Sequence, residues 1–354
     1  MQITKAEVIP IELKTKQTIR LAKYPPIESV LAIFVRLETR QGQTAWGCTV
    51  TYPAFGKEQS QLVLRACQEC AVKVVDLHPL NIAYTLEELT PLCQSAPAAL
   101  CAFDLALHDL LGVASGFPLY RLLGGYRNSI ETSITIPLSE VNETVEMALD
   151  FSKQGFHIFK VKGGLDPQQD VQRIQALRQA LPYATLRLDA DGGYSVEDAL
   201  NVSRVLKDKI EFLQQPTSTN NLDLMREVTK QSNVPILADQ SLRGSDSTLE
   251  MIIQHTANGI AIKLAACGGI RNAIQMDTIA RAAHLQTMVS CLIEPALLTA
   301  AGLSVALASP SVQYGDLDGY LFLSHDPTLA GFTLQDGWLM MSDVPGLGCN
   351  VSLT

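Results

Sequence analysis

From about residue 130 onward the chain alternates between short β-branched runs and longer stretches whose apolar positions recur every three to four residues. The runs are TSITI (132–136), HIFKVK (157–162), TLRLD (185–189), IEFLQ (210–214), PILAD (235–239), IAIKL (260–264), TMVSC (287–291) and VQYGD (312–316). The stretches between them carry helix-start signals: Asp166-Pro167 precedes QQDVQRIQALRQAL, and Ser195 stands ahead of Asp198 in SVEDAL. Strand alternating with helix calls for a parallel sheet, and eight strands are the number that closes a (β/α) barrel.

Polar residues inside these runs fall in register. Lys162, Asp189, Gln214, Asp239, Lys263 and Asp316 each stand at or near the C-terminal end of a strand, at spacings of 24 to 27 residues that widen to 53 between the last two. In a barrel this gathers all six around one rim, the face where such folds keep their chemistry. An open doubly wound sheet is the competing fold, but no G-x-G-x-x-G follows an early strand and the rim is evenly populated.

Residues 1–125 read differently. Strand-like ITKAEVIPIEL and SVLAIFVRLET precede helical KEQSQLVLRACQECAVKVV, LNIAYTLEELTPLC and ALCAFDLALHDLLGVAS. That order predicts an α+β capping domain over 1–125, followed by a (β/α)7β TIM-type barrel over 126–325. The segment 326–354 holds four glycines and no long helix, and is expected to pack back on the capping domain.

Composition narrows the functional classes. Hydrophobic residues make up 47% and charged residues 18% of the 354, and no apolar run approaches the roughly 18 residues a bilayer-spanning helix needs. This predicts no membrane partner. The start, MQITKAEVIPIEL, alternates like a strand and lacks the apolar core of a signal peptide, which predicts a cytoplasmic protein. A net charge of −9 without a basic block removes the electrostatic term that nucleic-acid binding depends on. Of the eight cysteines only Cys67 and Cys70 lie close together, in a helical stretch, and they read as buried thiols.

Lys160 and Lys162, two apart on a strand, leave the same face. Like charges buried together disfavour each other's protonated form, which lowers a lysine's pKa toward that of a base near neutrality; a solvated pair at a strand end is the competing reading. Asp189, Gln214 and Asp239 end successive strands and bring three oxygen-bearing side chains toward one hard cation, although each carboxylate alone could cap the following helix. Lys263 lies one strand further on. Asp316 and Asp318, in YGDLDGYLFL, share a phase and would present paired carboxylates that need a cation, or else form an ordinary D-x-D-G turn.

Together, the stretches ALCAFDLALHDLLGVASGFPLYRLLGG, the K-V-K of the second strand, LRLDADGGYS, FLQQP, PILADQS, IAIKLAACGGI and the closing PGLG resemble the enolase superfamily, specifically its muconate-lactonizing subgroup, over nearly the whole chain. The resemblance implies that Lys162 and Lys263 are the acid–base pair on opposite faces of a substrate, with Lys160 perturbing Lys162. It implies one Mg2+ per subunit on Asp189, Gln214 and Asp239, stabilising an ene-diolate formed by loss of the proton next to a carboxylate. Here the chain departs from the pattern: Gln214 and Gln240 stand where the family normally has Glu, and the uncharged Gln214 predicts weaker metal binding, while Asp191, where the family often has Asn, adds a carboxylate nearby that could compensate.

The D-x-D is similar to that of dipeptide epimerases, which implies a racemase or epimerase acting on dipeptides, with Asp316 and Asp318 holding the substrate's ammonium. Thr135, Glu294, Lys23 and Tyr24 complete the expected substrate-binding set, and segments 17–30 and 48–60, with Arg20, Tyr52, Pro53 and Phe55, are expected to close over the mouth. The alternatives are o-succinylbenzoate synthesis, muconate-type cycloisomerisation, or a barrel that binds ligand without catalysis. A small-molecule substrate is the expected partner, and a homo-oligomer is left open.

Overall fold

The computed structural model describes residues 1–52 and 56–353. It opens with a three-stranded antiparallel sheet of β1 (Ile3–Ile19), β2 (Ile27–Thr39) and β3 (Thr44–Thr51) in that order. β3 lies in a part of the chain where the sequence pattern showed no strand. Its alternation is interrupted at Gly47, where the backbone of a later helix lies so close that an added Cβ would sit 2.0 Å from the Ala102 carbonyl oxygen. Helices α1 (Lys57–Val74), α2 (Ile82–Cys93) and α3 (Pro97–Ser115) cover this sheet, burying Ile33, Val35, Cys67, Cys70, Leu89 and Phe103 between them.

By length and composition alone α3 is apolar enough to cross a membrane, contrary to the expectation that the chain holds no such run. Its acidic residues show why it belongs inside a folded protein. Asp104 accepts a hydrogen bond from the Arg271 amide at 3.1 Å, and Asp109 accepts from the Trp46 and Leu347 amides at 2.9 and 2.7 Å. One helix thus ties together the sheet, the barrel and the C-terminal segment.

After the short α4 (Leu119–Leu122) and β4 (Ser129–Glu131), eight parallel strands follow: β5 (Ile134–Ile136), β6 (Ile158–Lys162), β7 (Thr185–Asp189), β8 (Leu213–Gln214), β9 (Ile236–Ala238), β10 (Gly259–Lys263), β11 (Gln286–Ser290) and β12 (Val312–Asp316). Their order in the sheet is their order in the chain, and the ring closes where Thr132 bridges Gly315 and the Ser133 amide donates to the Gly315 carbonyl at 3.1 Å. The crossovers are α5 (Val141–Lys153), α6 (Pro167–Ala180), α7 (Val196–Val205), α8 (Leu222–Gln231), α9 (Ser245–Gln254), α10 (Leu264–Cys267) with α11 (Ile270–Ala282), and α12 (Ala296–Ala308). This is the expected (β/α)7β barrel. The Asp166 and Ser195 side chains cap α6 and α7 by accepting hydrogen bonds from their first-turn amides.

Below the rim the barrel is plugged. Arg187, fully buried, stacks between Phe212 and Tyr314 with its guanidinium 5.1 and 5.0 Å from the ring centres, and bonds Glu211 at 2.7 Å. The C-terminal residues form β13 (Thr328–Leu329), β14 (Phe332–Gln335), β15 (Trp338–Met341) and β16 (Asn350–Val351); β15 pairs with β4 at the barrel's entry, while the Gly346 carbonyl accepts from the Leu119 amide at 2.8 Å.

Candidate active site

Every side chain of β6 is buried. Phe159 and Val161 face the packed core beneath the helices, so the alternating Lys160 and Lys162 face a cavity at the barrel mouth of about 370 Å³. Lys162 Nζ lies 2.8 Å from Asp189 Oδ2 and 2.9 and 3.1 Å from the two oxygens of Asp191. Lys263 Nζ, on β10, lies 2.7 and 2.5 Å from the oxygens of Asp239. β6 and β10 stand four strands apart in a ring of eight, so the two ammonium groups come from opposite sides of the mouth.

The expectation that Lys160 and Lys162 bring a lysine's pKa down toward neutrality is corrected. Burial pushes both down, and Lys162 does lower Lys160 as expected, but Asp316 together with Asp318 and Asp189 outweighs this at Lys160, and Asp189 with Asp191 and Asp239 outweighs burial at Lys162, so both pKa values stand above the ordinary lysine value. The compensating carboxylates come from other strands, which spacing along β6 could not reveal.

Between the lysines lies a centre made of oxygen atoms. Gln214 neighbours Asp189 in the sheet, and its Nε2 donates to Asp239 Oδ2 at 2.7 Å. Its Oε1 is buried without a hydrogen-bond partner. Asp191, held at φ 47°, accepts from Gln240 Nε2 at 2.8 Å. Among the described residues no three His, Cys, Asp or Glu side chains converge to hold a metal, so the candidate set is two carboxylates and one amide: Asp189, Asp239 and Gln214. An all-oxygen set suits a hard cation such as Mg2+, and the orphaned Oε1 is an atom such an ion would satisfy.

The two carboxylates of the D-x-D part company. Asp316 Oδ2 takes both Lys160 and the Ser290 hydroxyl, and Oδ1 takes the Ser133 hydroxyl at 2.6 Å, which holds its pKa well below the usual carboxylate range despite burial. Asp316 is fully buried behind these partners and does not line the cavity, which corrects the expectation that it holds the substrate. Asp318 does line the cavity. It accepts from the Thr135 amide at 2.6 Å, and no lysine or arginine among the described residues forms an ion pair with it. Burial, then the neighbouring Asp316, raises its pKa.

Thr135 and Tyr24 also line the cavity. Glu294 does not: its buried carboxyl turns back to accept from the Leu292 amide at 3.0 Å and Thr299 Oγ1 at 3.4 Å, which corrects its placement among the substrate contacts. Lys23 serves the closure instead of the substrate, donating to the Gly192 carbonyl at 2.6 Å and tying the capping segment to the loop after β7. Ile19, Leu21 and Tyr52 bring the capping domain over the mouth, and Tyr52 accepts from the Ile293 amide at 2.7 Å. Pro53 and Phe55 lie outside the described residues.

Sequence reasoning missed the supports behind these residues. Arg173, fully buried on α6, donates to the carbonyls of Lys162 at 2.6 Å and Pro137 at 3.0 Å, and pairs with Asp170 at 3.2 Å. Asp170 in turn accepts from the Gly164 amide at 2.8 Å and the Tyr194 hydroxyl at 2.6 Å. Gln215 Oε1 accepts from the amides of Asp239 and Ser241 at 3.0 and 3.2 Å, fixing the turn after β9. A polar helix QQDVQRIQALRQAL gives no hint that one of its arginines is inside.

An α+β domain closed over a (β/α)7β barrel, with lysines on facing strands across an oxygen-lined centre, defines a class of capped-barrel enzymes. The chain belongs to the mandelate racemase / muconate lactonizing enzyme family: residues 10–124 match that family's N-terminal domain and residues 143–353 match the enolase C-terminal domain-like family. It is 32% identical to a hydrophobic dipeptide epimerase of Enterococcus faecalis over 98% of this chain and 99% of that protein. It is 33% identical to an L-Lys-D/L-Arg epimerase of Desulforapulum autotrophicum over 92% of this chain and 93% of that one. The crystal structure of the Enterococcus faecalis dipeptide epimerase with Mg and L-Leu-L-Tyr superposes with a TM-score of 0.95 at 31% identity, covering 99% of this chain and 100% of that one.

Proposed function

We propose that this chain is a magnesium-dependent dipeptide epimerase, an isomerase that inverts the α-carbon beside the dipeptide's carboxylate. The observation that carries this reading is the placement of Lys162 and Lys263 on strands four apart, with Asp189, Gln214 and Asp239 between them. Those three side chains would hold a divalent cation, which would supply electrostatic stabilisation for the charge that builds on the substrate carboxylate. The chain's own residues move the proton. One lysine, having first given up its own proton to become the free amine, takes it from the α-carbon, and the other lysine's ammonium returns a proton to the opposite face, inverting the centre.

Asp318 supports the dipeptide in particular. A buried carboxylate with no cationic partner accepts the N-terminal ammonium of an unblocked dipeptide through charge-assisted hydrogen bonds. Lys160 is a positioning residue: through Asp316 it occupies the carboxylate next door and leaves Asp318 as the one free for substrate. The same dipeptide chemistry is borne by the two epimerases named above. Incubation with magnesium and L,L-dipeptides in D2O is expected to place deuterium at the C-terminal α-carbon and to generate the epimer. Lys162→Ala and Lys263→Ala should each abolish epimerisation while leaving exchange on at most one face. A wild-type protein that exchanges no α-proton of any dipeptide would sink the proposal.

A further inference from the structure

We infer that the N-terminal residue of the substrate is apolar. This rests on the dipeptide epimerase reading and adds to it the kind of side chain that the site accepts next to the ammonium. Asp318 fixes that end of the cavity. Four apolar side chains of the cavity wall come from the segments that reach it: Pro137, two residues after Thr135, whose amide donates to Asp318; Ile293, two residues after Cys291, whose thiol also donates to it; Phe322, in the turn that follows Asp318; and Ile19 on β1, which packs against that turn. All four are buried.

The charges at this end are already engaged. The nearby ammonium, Lys160, is held by Asp316, and the other cation bordering the cavity, Arg243, stands in the loop after β9, three strands from β12, so an acidic side chain beside Asp318 would enter without a cation to meet it. A basic side chain fares no better, because Asp318 is engaged by the main-chain ammonium and the other cavity carboxylates, Asp191 and Asp239, are paired with Lys162 and Lys263 on the far side. An ionised side chain placed there loses its water and gains no partner. An aliphatic or aromatic one exchanges water for contact with Ile19, Pro137, Ile293 and Phe322.

The test is a panel of dipeptides sharing C-terminal L-Ala, with N-terminal L-Leu, L-Phe, L-Lys or L-Glu, scored by kcat/KM for α-deuterium incorporation into the alanine. The Leu and Phe members are expected to exceed the Lys and Glu members at least tenfold. Phe322→Glu should reverse the order between Leu and Lys, and Phe322→Leu should preserve it. Equal rates across the wild-type panel, or a preference for Lys or Glu, would overturn the inference while leaving dipeptide epimerisation standing. Failure of every dipeptide to incorporate deuterium overturns the parent reading, and this inference with it.

Discussion

Replacing Gln214 with glutamate puts a carboxylate oxygen where Nε2 now donates to Asp239 Oδ2 at 2.7 Å. Without metal the hydrogen bond becomes a collision of like charges: at an effective dielectric near 20, two unit charges at that spacing repel by about 6 kcal/mol. The pair relieves this by holding one proton between them, so its pKa in the folded protein rises above the unfolded value. Stability of metal-free Gln214→Glu is therefore present at low pH and lost as pH rises toward neutrality, and at pH 7 its melting temperature should fall below that of the parent. Magnesium should reverse the order. A third anionic ligand on a divalent cation is expected to tighten binding on the order of 100-fold, which at saturation is worth about 2.7 kcal/mol of added stability and a few degrees in Tm. Melting curves with and without magnesium at pH 7, with calorimetric titration of the ion into both proteins, measure the two effects separately. If the magnesium-dependent shift and the affinity are the same in both proteins, residue 214 lies outside the coordination sphere and the three-residue oxygen centre is wrong.

Asp318→Asn, or N-acetylation of the dipeptide, should each lower kcat/KM by on the order of 100-fold, the scale of one buried charge left unpaired; N-acyl amino acids turning over faster than free dipeptides would contradict this. Glu294 offers a pH test away from the reacting atoms, since burial pushes its carboxyl up to about 8 from 4.5. Its folded pKa exceeds its unfolded one, so its contribution is fully present below pH 4.5 and is lost as pH rises toward 8. Glu294→Gln should flatten the fall of Tm between those limits, and an unchanged slope would show that the carboxyl does not titrate in the folded protein.

The barrel was legible because its two signals are local: period-two runs give the strands, and polar residues at their ends give the rim. Lys162, Asp189, Gln214, Asp239 and Lys263 needed only that register to be gathered at one mouth. What stayed hidden depends on contacts between distant segments. Arg173 and Arg187 look like solvent-facing positions in QQDVQRIQALRQAL and TLRLD, yet one reaches the Lys162 carbonyl and the other fills the barrel between two aromatic rings. The D-x-D misled for a related reason. Alternation placed Asp316 and Asp318 on one face, but β12 ends at Asp316, and past the end of a strand the period-two rule no longer says where a side chain points.

The formal charges at the mouth connect these pieces. Apart from Arg243, which borders the cavity with a solvent-exposed side chain, three lysines, 160, 162 and 263, face five aspartates, 189, 191, 239, 316 and 318, which leaves the interior of the site two negative charges in excess. A divalent cation cancels that excess. A zwitterionic dipeptide then adds a carboxylate at one end and an ammonium at the other and keeps the total at zero, with Asp318 as the carboxylate that has no lysine of its own. An N-acylated or N-succinylated amino acid would bring one or two negative charges and no cation, leaving Asp318 buried and unpaired. In a cavity closed by the capping segment, where charges are poorly screened, that imbalance discriminates against the acylated substrates before any side-chain contact is made.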